Sequence, residues 1–204
     1  MSEYLPAILP AAYVLPLLLV VLLLLLILFW YRYRRGRRRS LKNVFATIAF
    51  ERIDNLVIPN ADEGEIQIDH LLLTPNGLLV IDVKNVQGAV FGSDKMQDWT
   101  VISEERRFTF GNPQPALYDR IAAVRQIVRQ VPVAGRILFL DGASFTKGTP
   151  DMVASLDELL QDFSEPDKAT AKMKVEAFKP HWELIRERVD DGRSNARLVR
   201  YRHL

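Results

Sequence analysis

Two aspartates, a lysine and a glutamine sit where they could do chemistry together: Gln67, Asp69, Asp82 and Lys84. All four lie in the segment EIQIDHLLLTPNGLLVIDVKN, residues 65–85. Two apolar, β-rich runs flank Thr74-Pro75-Asn76-Gly77, which has the residue chemistry of a tight turn, so the segment reads as a β-hairpin. Side chains alternate along a strand. Gln67, Asp69, Leu71 and Leu73 therefore share a face of the first strand, and Leu78, Val80, Asp82 and Lys84 share a face of the second. If Leu73 pairs with Leu78, paired numbers sum to 151, with Asp69 opposite Asp82 and Gln67 opposite Lys84. Like charges facing each other destabilise a sheet, and burial raises the cost. A divalent cation offsets it, because carboxylate oxygens are natural ligands of Mg2+ or Mn2+. Lys84 adds a donor for an anionic group. On this reading Asp82→Ala leaves the metal-free fold intact or makes it more stable. The plainer alternative is a surface ion pair between Asp82 and Lys84 at a solvated strand end, worth less than about 1 kcal/mol.

Other chemistries find little support. The absence of cysteine excludes a disulfide scaffold, thiolate metal sites and a cysteine nucleophile. His70 points to the face opposite Asp69, and the three histidines do not cluster, so no zinc site is indicated. GASFTKGT, residues 142–149, has its lysine before the glycine and is not a phosphate loop. Ser, His and Asp show no triad context.

The elements that must position the hairpin follow from periodicity. Leu41 to Phe50 is expected as a brief helix with Leu41, Val44, Phe45 and Ile48 on one face, and Asn60 to Gly64 as a polar turn. Ala89–Phe91, Trp99–Ser103 and Arg107–Phe110 read as short strands between glycine-marked turns. Ala116–Gln130 is a helix whose face carries Leu117, Ile121, Val124, Ile127 and Val128. Arg136–Leu140 is a buried strand. Asp151–Phe163 and Asp167–Val189 read as helices, and the tail from Asp190 as polar, basic and unstructured. Strands followed by helix, strand and helices indicate an α/β domain with a mixed sheet.

The N-terminal segment has a different character. No charged residue occurs from Tyr4 to Tyr31, and Leu17–Trp30 is apolar throughout. The 21 residues from Ala11 to Tyr31 would span about 30 Å as a helix, the thickness of a bilayer core. Trp30, Tyr31 and Tyr33 suit an interfacial belt. Seven basic residues from Arg32 to Lys42 follow and none precede. That asymmetry predicts a single-pass anchor in the cell (inner) membrane, with the N-terminus outside and the domain cytoplasmic. A cleaved leader would need basic residues first and small residues at its end. Beyond the basic cluster the chain holds 20 basic and 24 acidic residues, a net charge of −4, which argues against a generic DNA-coating protein. The expected organisation is residues 1–31 as the membrane segment, 32–43 as a basic linker, 44–165 as the main domain and 166–204 as a C-terminal helix and tail.

The spacing Gln67-Ile68-Asp69-His70, Thr74-Pro75-Asn76-Gly77, Val80-Ile81-Asp82-Val83-Lys84-Asn85 resembles the NERD (nuclease-related) domain, similar to a branch of the PD-(D/E)xK nuclease superfamily. The resemblance continues through Gly88, Phe91-Gly92, Trp99 and Asn112-Pro113 and covers roughly residues 55–163. It implies a restriction-endonuclease-like mixed sheet with an antiparallel hairpin core flanked by helices. It implies that Asp69 and Asp82 hold Mg2+ or Mn2+, and that Lys84 orients the attacking water and stabilises charge on the scissile phosphate. Gln67 joins them as a candidate catalytic residue. Relatives usually carry an acidic residue on a helix before the first strand, where Glu51 is nearest here. They often carry a glutamine some four residues after the asparagine of the Asn-Pro pair; Ala116 stands there, and Gln114 is displaced. The implied function is membrane-anchored, metal-dependent phosphodiester hydrolysis, with DNA as partner. The alternative is an inactive nucleic-acid-binding or scaffolding module tethered to the membrane.

Overall fold

The computed structural model describes residues 19–26, 41–59, 64–140, 142–190 and 196–201. The chain forms two compact units, Met1–Arg39 and Ser40–Leu204. In the first, residues 19–26 form a helix, α1, whose eight apolar side chains are all exposed. Most of the expected membrane span, and the arginine cluster after it, lie outside the described residues. Among the described residues no helix is long and apolar enough to cross a membrane.

The second unit is mixed α/β, built around a six-stranded sheet. After α2 (Leu41–Ile48) come β1 (Glu51–Pro59), β2 (Glu65–Thr74) and β3 (Gly77–Lys84). These pair antiparallel in sequence order. The hairpin has the expected register, from Thr74–Gly77 and Leu73–Leu78 to His70–Ile81. Its turn is closed by the Thr74 hydroxyl donating to the Gly77 carbonyl at 2.8 Å. Gly77 has φ 112°, and a Cβ there would lie 2.3 Å from the Pro132 carbonyl oxygen, so only glycine fits. Beyond β3, β7 (Val133–Phe139) and the two-residue β9 (Val153–Ala154) add in parallel. A separate four-stranded sheet comprises β4 (Gly88–Phe91), β5 (Asp98–Ile102), β6 (Arg107–Gly111) and β8 (Ala143–Phe145), in the order β6-β5-β4-β8.

Both faces of the β2–β3 hairpin are covered, which explains its nearly unbroken apolar run. Leu71, Leu73, Leu78 and Val80 join one core with Trp99 and Val101 of β5 and with Leu117, Ile121 and Val124 of α3 (Gln114–Ile127). Leu72, Leu79 and Ile81 join another with Val44, Phe45 and Ile48 of α2 and with Leu156, Leu159 and Phe163 of α4 (Leu156–Phe163). Each of these fully buried strand residues contributes about 2 kcal/mol through lost contact with water.

Besides the short β8, which the sequence reading did not mark as a strand, three segments depart from it. β1 was not recognised there, because its alternation changes phase: Ile53, Leu56 and Ile58 are the buried positions. Between them Asn55 takes the left-handed φ of 55°, which an asparagine tolerates. Residues 151–163 are not one helix. Val153 and Ala154 serve the sheet edge, and α4 starts only after Ser155. That start is set by a capping box: the Glu158 amide donates to Ser155 Oγ, and the Ser155 amide donates to the Glu158 carboxylate. The C-terminal tail is not structureless either. Arg197–Arg200 form β10, the neighbour of β1 at the sheet edge. The long α5 (Lys168–Asp190) runs before it, and the Trp182 indole donates to Glu51 at 2.9 Å.

On the α2 side of the sheet His70 does have a carboxylate partner. Its Nδ1 lies 2.6 Å from Asp54 Oδ1, and Arg52 grips the same carboxylate with Nε at 2.7 Å and Nη2 at 2.8 Å. Burial acts to raise the Asp54 carboxyl. The His70 hydrogen bond and the Arg52 and His70 charges outweigh it and hold the group below its ordinary value. A depressed folded-state pKa gives stability that is present above the unfolded value, about 3.9, and lost as pH falls through the folded one. The midpoint of thermal unfolding should therefore drop more steeply below about pH 4 in the native chain than in Asp54→Asn. Parallel pH profiles for the two would remove Asp54 from the acid limb.

Candidate active site

The site forms where two strands part. β2 stays paired with β1 as far as Pro59–Glu65, and β3 stays paired with β7 as far as Lys84–Phe139. The ladder between β2 and β3 ends at His70–Ile81. The next residues along each strand are Asp69 and Asp82, so they stand at the crotch of the fork. Gln67 and Lys84 lie further out, beyond the paired region.

Asp82 is only 2% exposed. Cations flank both its oxygens: Lys84 Nζ is 2.9 Å from Oδ1, and Arg120 Nη1 of α3 is 3.3 Å from Oδ2. Oδ1 nevertheless accepts no hydrogen bond of good geometry, leaving a buried carboxylate oxygen with unused acceptor capacity. Asp69 is half-buried, and no hydrogen bond or ion pair holds its carboxylate among the described residues. The Gln67 side chain is exposed. Its carbonyl, without a β3 partner, accepts from Arg120 Nε at 2.7 Å.

Arg120 was not singled out from the sequence, although a signal was there. It falls three residues after Leu117 and four before Val124, a charge on the buried flank of α3. A half-buried cation gains from a partner, and Asp82 supplies it.

The two aspartates suit a hard divalent cation, because Mg2+ is commonly held by one or two carboxylates and keeps several waters. Among the described residues no group of three or more His, Cys, Asp or Glu side chains could hold a metal by protein ligands alone. A pocket of about 520 Å3, lined by none of the Gln67, Asp69, Asp82, Lys84 or Arg120 side chains, begins at Asn85, the residue after Lys84, and lies between the Asn85–Gly88 segment and the β5–β6 turn, with Arg106 and Phe108 in its wall.

Residues 38–140 match the family described as NERD, nuclease-related domain. The chain belongs to the NERD family. A further match is an uncharacterized protein of Bacillus anthracis, 33% identical over 64 residues. It covers 31% of this chain and 30% of that protein, so the chain spans less than a third of its relative's length. No solved structure matches. The NERD match contains Gln67, Asp69, Asp82, Lys84 and Arg120 and ends where β7 ends, before α4, α5 and β10.

This NERD domain differs from the expected pattern at three positions. Glu51 lies at the start of β1, where Trp182 Nε1 donates to it and Arg200 Nε is 3.5 Å away. It is not on a helix. Gln114 is buried and accepts from the Met152 amide at 3.3 Å, tying α3 to the approach of β9. Ala116 is exposed one turn before Arg120.

Proposed function

We propose that this NERD domain is a divalent-metal-dependent phosphodiesterase acting on nucleic acid, with DNA as the substrate class. The observation that carries the proposal is the buried Asp82 at the strand fork, flanked by Lys84 and beside an uncommitted Asp69. Asp69 and Asp82 would hold Mg2+ or Mn2+, which when bound polarises a phosphoryl oxygen and lowers the pKa of a water. Lys84 Nζ, held on the same face of β3, would orient the attacking water and stabilise charge on the scissile phosphate. The Gln67 side chain, exposed at the outer end of the fork, would contact the substrate or the incoming water. The apolar segment before Arg32 would tether the domain to the cytoplasmic face of the cell membrane, and the arginine cluster would rest on anionic headgroups.

A second reading is a NERD domain that binds nucleic acid or a partner without turnover. It is favoured by the Arg120–Asp82 contact and by Ala116, which carries no polar group. The full-length chain incubated with labelled DNA and RNA in Mg2+ or Mn2+ separates the two. Cleavage that chelator abolishes is expected, stronger on DNA. Retained binding without any cleavage would favour the second reading. Reporter fusions at the C-terminus should report a cytoplasmic location, and an external signal would reject the proposed orientation.

A further inference from the structure

Two cations converge on one carboxylate at the fork, through Lys84 on Oδ1 and Arg120 on Oδ2 of Asp82. With Asp69 counted, two positive charges balance two negative ones. A divalent ion adds two more positive charges. Around a carboxylate as buried as Asp82, charge balance then favours the departure of one cation from Asp82 or the arrival of an anion.

Lys84 belongs to β3 itself, two residues from Asp82 on the same face, and stays. Arg120 comes from a helix and is held differently at its two contacts. Its Nε bond to the Gln67 carbonyl is short at 2.7 Å, whereas its Nη1 contact with Asp82 is long at 3.3 Å. A guanidinium carries five N–H donors, so two are engaged here and the others have no partner among the described residues. The side chain is 22% exposed, and the exposed Ala116 one turn earlier puts only a methyl group beside it. Arg120 is thus held on a backbone carbonyl, half-buried, with three N–H donors uncommitted among the described residues. A planar fork of N–H donors matches phosphate oxygens in pairs.

We propose that Arg120 is a substrate-phosphate ligand of this site, resting on Asp82 while the site is free and turning onto a nucleic-acid phosphate when Asp82 takes a divalent cation. The inference rests on the metal-dependent phosphodiesterase reading and adds a residue to it. It makes metal and phosphate binding mutually reinforcing, because each removes the contact that opposes the other.

The test uses the full-length chain, Arg120→Gln and Arg120→Lys. Mn2+ affinity is measured by calorimetry without nucleic acid. Affinity for a fluorescein-labelled DNA duplex is measured by anisotropy in Ca2+, which takes the same oxygen ligands in looser geometry. Arg120→Gln should bind Mn2+ about tenfold more tightly and the duplex about tenfold more weakly, a usual magnitude for coupled sites. Arg120→Lys should keep the weaker Mn2+ binding without restoring duplex affinity, because a point charge lacks the fork. Loss of folded protein lowers both affinities together and cannot produce opposite signs. Parallel shifts, or no shift in either affinity, overturn the inference. If the native chain cleaves DNA and Arg120→Gln leaves Mn2+ affinity unchanged, Arg120 loses this role and the phosphodiesterase reading stands. Opposite shifts in a chain that never cleaves would retain the Arg120 role and replace that reading by the binding module.

Discussion

Asp82→Ala is expected to abolish metal-dependent cleavage and to lower the stability of the metal-free protein by about 1–3 kcal/mol. The sequence alone led to the opposite sign for stability, since deleting one of two facing carboxylates relieves repulsion. The structure changes the comparison. Asp82 is the common partner of Lys84 and Arg120, so its removal leaves two cations at a partly buried position without their counter-charge. Removing one member of a buried pair costs about 3–5 kcal/mol. The lower figure applies because Lys84 is 31% and Arg120 22% exposed, and both can shift their charged ends toward water. Thermal unfolding of the native chain and of Asp82→Ala, both in excess chelator, measures the difference. An unchanged or raised midpoint in the variant would restore the picture of two repelling carboxylates. Calorimetric Mn2+ titration of the same samples should show weakened binding in the variant.

Lys84→Ala should lower turnover by about 10²–10³-fold, the usual loss for one preorganised charge-stabilising donor. Metal should still bind, since both carboxylates remain, and the fold should change by less than about 1 kcal/mol because Lys84 is partly exposed and Asp82 keeps Arg120. Lys84→Arg is not expected to restore the rate. A broad fork one atom longer cannot place a compact charge at the same point between Asp82 and the phosphate. The decisive comparison is single-turnover cleavage beside Mn2+ affinity in the two variants. A rate within a few-fold of the native one would reduce Lys84 to a counter-ion of Asp82.

The features legible in the sequence are those written into neighbouring residues. Thr74-Pro75-Asn76-Gly77 determined the turn and with it the register, and the alternation of side chains along a strand determined that Asp82 and Lys84 share a face. Apolar spacing determined α2 and the buried face of α3. Membership of the NERD family was readable from the same hairpin and the residues that follow it. What only the tertiary structure decided depends on residues distant in the chain. β1 needs β2 and β10 on its two sides, and its phase shift at Asn55 hides it from any local periodicity. Val153 and Ala154 are strand because β7 offers them an edge, not because two residues have a propensity worth the name. The fork at Asp69 and Asp82 arises because β2 follows β1 while β3 follows β7, a competition between partners that neither strand encodes alone. Arg120 reaches that fork from 38 residues beyond Asp82. A carboxylate's partner is set by which helix packs over its strand, and packing is a property of the whole core rather than of the residues on either side.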